Sequence, residues 1–280
     1  MNSLEHAPPL QHAPEQQLRP APIREIPDWR RLEVALARHG ELISDGIAYA
    51  EERHTGVNQE TAECIAHVLG RSFGPDSALA DYALEGSGNY ETLRDEYLTI
   101  YNNAEAPAWA VELVDYFGSH LICQTFPEAA SASYEASHSL KLARLHVPTE
   151  VTVDGLTMTV YVPGIYGRET ITELPETLSE LHLAEDEGLQ AFLSIPRVNV
   201  VSGNIMEDFD GSYVGAWRNI EEAVTELCLL DDREEEVKDF AAERKLYFDY
   251  LSPDYEALQE ELEETFTFAE KGGRVYVFNV

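Results

Sequence analysis

The sequence predicts an elongated, mostly helical α+β fold made of two related units, each ending in a short β element. Three observations carry this. Apolar residues recur at helical spacing through most of the chain, Asp154-Gly155 separates two alternating β-branched runs, and the tripeptide Ser87-Gly88-Asn89 returns as Ser202-Gly203-Asn204.

Taken in order, residues 1–27 hold Pro8, Pro9, Pro14, Pro20, Pro22 and Pro27 among Gln, His and Ala with no periodic apolar pattern, which predicts a flexible tail. The tail lacks the apolar central stretch of a signal peptide. Trp29 to Ala50 carries Leu32, Leu36 and His39 at helical spacing, and Gln59 to Leu69 carries Ile65, Val68 and Leu69, with Asn58 or Thr61 as its cap. A third helix is expected over Ala108 to Phe117, with Val111, Val114 and Phe117 turned inward. Leu145 to Val153 and Leu156 to Val162 form a predicted hairpin around Asp154-Gly155. Further helices are expected over Glu187 to Leu193, Ile220 to Leu230, Glu234 to Arg244 and Asp254 to Phe266. Arg274 to Phe278 reads as a strand after the Lys271-Gly272-Gly273 turn.

The repeat extends past its tripeptide. Asp95, Tyr97, Asn103 and Glu112-Leu113 are answered by Asp210, Tyr213, Asn219 and Glu226-Leu227, and Tyr134-Glu135-Ala136 by Tyr255-Glu256-Ala257. Val160-Tyr161-Val162 is answered by Val275-Tyr276-Val277. The chain therefore divides into the tail, a first unit over 28–163 and a second over 164–280.

Composition limits the partners. With 52 acidic and 19 basic residues the formal net charge is -33, a field that repels nucleic acid and anionic lipid and attracts basic protein surfaces. The chain is nonetheless a folding one: 44% of it is apolar, and 14 Tyr, 10 Phe and 3 Trp recur among the carboxylates. No run approaches the roughly 18 apolar residues of a membrane span. Cys64, Cys123 and Cys228 are odd in number, widely spaced and set in apolar contexts, which predicts reduced core thiols of a cytoplasmic protein.

The charge is concentrated. Between Glu207 and Glu264 stand twenty carboxylates against five basic residues. The candidate partner-binding residues are Glu207, Asp208 and Asp210, then Glu221, Glu222 and Glu226, then Asp231, Asp232, Glu234, Glu235, Glu236 and Asp239. Asp249, Asp254, Glu256, Glu260, Glu261, Glu263 and Glu264 complete the set. On a helix, Glu256, Glu260, Glu261 and Glu264 line one side and Leu258, Leu262 and Phe266 another. Like charges at that spacing cost a few tenths of a kcal/mol per pair, which fits a binding role better than a stabilising one. The alternatives are a solvated helix face and adaptation to salt. Salt adaptation would acidify both units alike, and here the second is the more acidic.

Catalytic constellations are sparse. His120 and Cys123 lie one helical turn apart, but no further ligand is spaced to complete a metal or thiol site. His138 and His146, near Ser137 and Ser139, lack an acid at a diagnostic spacing. Gly86-Ser87-Gly88 is too short to cradle a phosphate and is followed by Asn89-Tyr90-Glu91. The pairs Asp208 with Asp210 and Asp231 with Asp232 lack the Gly and Glu positions of an EF-hand. The expectation is no catalytic residue, no metal and no cofactor.

The segment Asp208-Phe209-Asp210-Gly211-Ser212-Tyr213-Val214-Gly215-Ala216-Trp217, the run Leu246-Tyr247-Phe248-Asp249-Tyr250 followed by Tyr255-Glu256-Ala257-Leu258, and the closing Gly272-Gly273-Arg274-Val275-Tyr276-Val277-Phe278 together resemble the ArdA-type antirestriction proteins. The resemblance covers about residues 183–280. Between Tyr250 and Tyr255 this chain has Leu251-Ser252-Pro253-Asp254 in place of a more compact join, and ahead of residue 183 it has the first unit in place of the family's strand-rich N-terminal domain. The resemblance implies a homodimeric DNA mimic that occupies the DNA groove of type I restriction-modification enzymes, without catalysis or cofactor. The 33 excess charges match roughly 56 Å of duplex, about 16 base pairs. The other readings are an acidic adaptor for a different basic protein and a hydrolase with Cys123 as nucleophile.

Overall fold

The computed structural model describes residues 27–74, 76–129, 140–246 and 252–279. The tail expected over residues 1–27 lies outside them except for Pro27, as do Tyr134-Glu135-Ala136 and His138. The fold is α+β and mostly helical, with two small antiparallel sheets.

Five helices described over their whole length build the first part. α1 (Trp29–Glu52) starts where the Asp28 carboxylate accepts the backbone N–H groups of Arg30 and Arg31, and α2 (Gln59–Gly70) starts where Asn58 Oδ1 accepts that of Thr61 at 2.8 Å. α3 (Ala78–Glu85) ends at Gly86, whose φ of 68° is the left-handed cap that glycine adopts freely. α4 (Tyr90–Tyr101) is capped by Asn89, the last residue of the repeated tripeptide. α5 (Ala108–Thr125) runs two turns past the expected Phe117, because Leu121 and Ile122 continue the stripe of Val114 and Phe117 into the core. These helices share one core in which Leu32, Ile65, Leu69, Tyr82, Tyr97 and Phe117 are fully buried.

Two polar groups knit that core. Glu96 on α4 is buried and accepts hydrogen bonds from Ser77 Oγ (2.8 Å) and from the backbone N–H groups of Ala78 and Leu79 (both 2.9 Å), so one helix supplies the carboxylate that caps the start of another. Arg94, equally buried, donates from Nη2 to the carbonyl of Tyr166 and ties α4 to the second part of the chain.

The hairpin forms as its sequence predicts. β1 (His146–Val153) pairs with β2 (Leu156–Pro163) in a register that sets Val153 opposite Leu156. Asp154 (φ 51°) and Gly155 (φ 84°) make the two-residue turn, whose positive φ values match the strand twist. β1 serves two cores. Val147 belongs to the helical one, whereas Val151 and Val153 belong to a second that includes Leu174, Leu178, Phe192, Phe209, Tyr276 and Phe278.

That second core is covered by α6 (Arg168–Ser179), α7 (Glu187–Leu193) and α8 (Ile205–Ser212). The three-stranded sheet has the order β3 (Tyr213–Trp217), β5 (Arg274–Phe278), β4 (Thr267–Lys271). Central β5 is buried on both faces, with Tyr276 and Phe278 in the second core and Val275 and Val277 in a small third one with Trp217 and Ala223. Its run of apolar residues follows from that position.

The repeat is structural only in part. Both copies of Ser-Gly-Asn precede a helix, and both Val-Tyr-Val runs lie in the second strand of a hairpin. Tyr97, however, lies inside α4, while Tyr213 opens a strand.

Candidate protein-interaction surface

Three helices form the outer layer of the C-terminal part: α9 (Ile220–Leu227), α10 (Leu230–Glu243) and α11 (Tyr255–Glu263). α9 buries Ala223 and Val224 toward the sheet, and α10 and α11 lean on α9. Only Ala241 of α10 is buried, and no residue of α11 is. A layer that gives so little to the core holds most of its side chains in solvent.

The expected helix over Ile220 to Leu230 stops three residues early. Leu229 takes φ 51° and ψ 45°, a left-handed conformation that costs a Leu about 1–2 kcal/mol, and the chain turns there from α9 into α10. The expected helix over Asp254 to Phe266 likewise ends at Glu263, because Thr267–Lys271 is drawn into the sheet beside β5.

The turn at Leu229 brings nominated carboxylates together. Glu222, Glu226, Asp231 and Asp232 line one open cleft of 510 Å³ with Thr225 and Leu229. Two of the four are fixed in place. Arg218 grips Glu222 with Nη2 at 2.8 Å, Nε at 3.1 Å and its backbone N–H at 2.9 Å. The side-chain bonds first, and the backbone bond next, hold the Glu222 carboxyl at about 2. Glu226 Oε2 accepts the indole N–H of Trp217 at 2.7 Å. The cleft is thus a concave, anionic seat of a size that takes a cationic side chain.

The other nominated residues divide by what they touch. Asp254 caps α11 by accepting the backbone N–H of Ala257, Asp208 accepts the hydroxyl of Ser202 at 3.1 Å, and Glu263 accepts from Gln259 Nε2 at 2.6 Å. Glu234 pairs with Lys238 one turn along α10. Glu207, Asp210, Glu221, Glu235, Glu236, Asp239, Glu256, Glu260, Glu261 and Glu264 are exposed. Asp249, with Tyr247, Phe248 and Tyr250, lies outside the described residues. On α11 the carboxylates project while Leu258 and Leu262 are half-buried, in the arrangement expected from their spacing.

The same layer carries a feature that charge counting overlooks. Leu229, Val237, Phe240 and Leu246 are 62, 44, 54 and 49% exposed, with the Arg244 guanidinium over the Phe240 ring at 4.9 Å. The signal was present as Leu230, Val237, Phe240 and Ala241, spaced along one side of a helix otherwise made of charges.

The segments that carry the family resemblance fall on α8 and β3, on α11, and on the turn into β5. Gly215 in β3 has a structural reason: a Cβ there would come within 2.6 Å of the Trp217 ring that covers it. Tyr213 stacks on Phe209 at 5.2 Å. Comparison with protein-family models, with curated proteins and with solved structures found no match.

The remaining candidates have structural partners. His120 Nδ1 lies 2.8 Å from the Val57 carbonyl and Nε2 lies 3.3 Å from Gln59 Oε1. Burial raises the Cys123 thiol above its ordinary value. His146 bonds through Nδ1 to the Pro196 carbonyl at 2.7 Å. Among the described residues no three His, Cys, Asp or Glu side chains are placed to hold a metal, and no helix is long and apolar enough to cross a membrane.

Proposed function

We propose that this protein is a cytoplasmic antirestriction protein of the ArdA type, a homodimer whose exposed carboxylates imitate duplex phosphates and occupy the DNA groove of a type I restriction-modification enzyme. The observation that supports this best is the outer helical layer, where carboxylates stand free in solvent on helices that bury almost nothing. Such a layer adds little to stability and much to the local potential. Binding is driven by long-range attraction and by release of the anions that accompany the basic groove. The test is plating efficiency: unmodified phage should infect cells carrying a type I system more efficiently when the chain is expressed. No rise across a panel of such systems would discard the reading.

A second reading, an adaptor for another basic protein, is favoured by one specific observation. Phosphate imitation does not require Leu229, Val237 and Phe240 to stand in solvent. If their replacement by Ser leaves antirestriction intact, they serve some other contact.

A further inference from the structure

At the other end of the sequence, this acidic chain gathers positive charge. α1, α2 and the residue that ends α2 place Arg30, Arg31, Arg38 and Arg71 around a groove of 260 Å³, with His39 and His67 beside them. The two imidazoles meet edge to face, ring centroids 4.7 Å apart. Asp28 pairs with Arg31 at 3.3 Å. Among the described residues, Arg30, Arg38 and Arg71 have no carboxylate within ion-pair distance. Where acidic residues outnumber basic ones 52 to 19, three unpaired arginines on one groove run against composition. Their mutual repulsion is a standing cost that a bound anion would remove. Desolvation first, then His39 and Arg71, hold His67 below its ordinary value.

The geometry also selects the anion. Guanidinium forks match phosphate oxygens two at a time, and several of them around one groove suit a ligand with several charges in a row. At about 260 Å³ the space lies just below the range of drug-sized sites, about 300–1,000 Å³, and so suits a compact ligand. A long nucleic acid would leave the groove and enter the field of a chain with net charge -33, whereas a compact ligand stays within a screening length of about 10 Å. We propose that the groove between α1 and α2 binds a compact polyphosphate through Arg30, Arg38 and Arg71.

Calorimetric titration of the full chain tests this, with inorganic tripolyphosphate and ATP as probes at constant ionic strength. Saturable 1:1 binding is expected, weakened about tenfold or more in the double variant R38Q/R71Q while far-UV circular dichroism stays unchanged. Equal binding of the two probes makes the phosphate chain the whole determinant, and tighter ATP adds a contribution from the nucleoside; both support the site. Absence of saturable heat, or binding undiminished in the double variant, overturns it. Should the double variant fail to fold, R30Q and R38Q alone, on exposed side chains, give the same reading. Antirestriction in the plating assay should be untouched by these changes, so either proposal can fail without the other.

Discussion

Trp217 and Glu226 form a hydrogen bond of 2.7 Å from indole Nε1–H to carboxylate Oε2, and this bond fixes one wall of the acidic cleft to the sheet beneath it. Because Trp217 is buried, its N–H has no ready substitute for that acceptor. Glu226→Ala should cost about 1–3 kcal/mol in urea unfolding, and Glu226→Gln, which keeps an acceptor oxygen, clearly less. Equal losses would mean that the bond does not matter to stability.

Glu222 gives a prediction in pH. Its carboxyl is lowered from an ordinary 4.5 to about 2 by the Arg218 side chain and backbone N–H. A carboxylate lowered in the folded state adds stability above its unfolded value, and that contribution is lost as pH falls through the window from 4.5 toward 2. The pair is exposed, so the effect on unfolding is small, and the site itself should be read by carboxyl-carbon NMR. The Glu222 signal should titrate near 2, and Arg218→Gln should return it toward the ordinary range.

The carboxylates of α11 and of Glu264, which ends it, should act as a distributed field. Glu256→Gln, Glu260→Gln, Glu261→Gln or Glu264→Gln alone should leave antirestriction nearly intact, each costing less than about 0.5 kcal/mol of binding. Combining all four should produce a graded loss, and raising ionic strength should weaken the wild type in the same direction. One neutralisation that abolished activity would point to a specific contact instead.

Glu96 is the opposite case, a carboxylate whose value lies in the core. Removing it in Glu96→Ala strands the hydroxyl of Ser77 and two backbone N–H groups at the start of α3, a loss of about 2–4 kcal/mol in stability. Thermal unfolding should show it as a drop of several degrees.

What the sequence disclosed depended on how locally each feature is encoded. The hairpin was legible because Asp154-Gly155 accepts positive φ at both positions, α1 because Leu32, Leu36 and His39 recur at helical spacing, and α2 because Asn58 marks its start. α7 matched its expected span from Glu187 to Leu193. A break between two helices was expected after Leu230, but its place at Leu229 was not legible, since Cys228-Leu229-Leu230 contains no glycine or proline and reads as continuous helix. β4 was hidden because Thr267–Lys271 becomes a strand only through pairing with β5. The carboxylates could be named from composition, but their gathering into a cleft follows from the turn at Leu229. The basic groove draws on two helices, with Arg38 and Arg71 thirty-three positions apart in the sequence, and no local motif announces it.

The strand that lends Val147 to one core and Val151 to the next makes the β1–β2 ladder a shared beam. Its amide protons can exchange with solvent only through an opening that loosens both cores at once, which places them among the slowest in the molecule. Melting that begins at either end of the chain therefore meets the same obstacle, and the helical half and the acidic half should lose their structure in one transition.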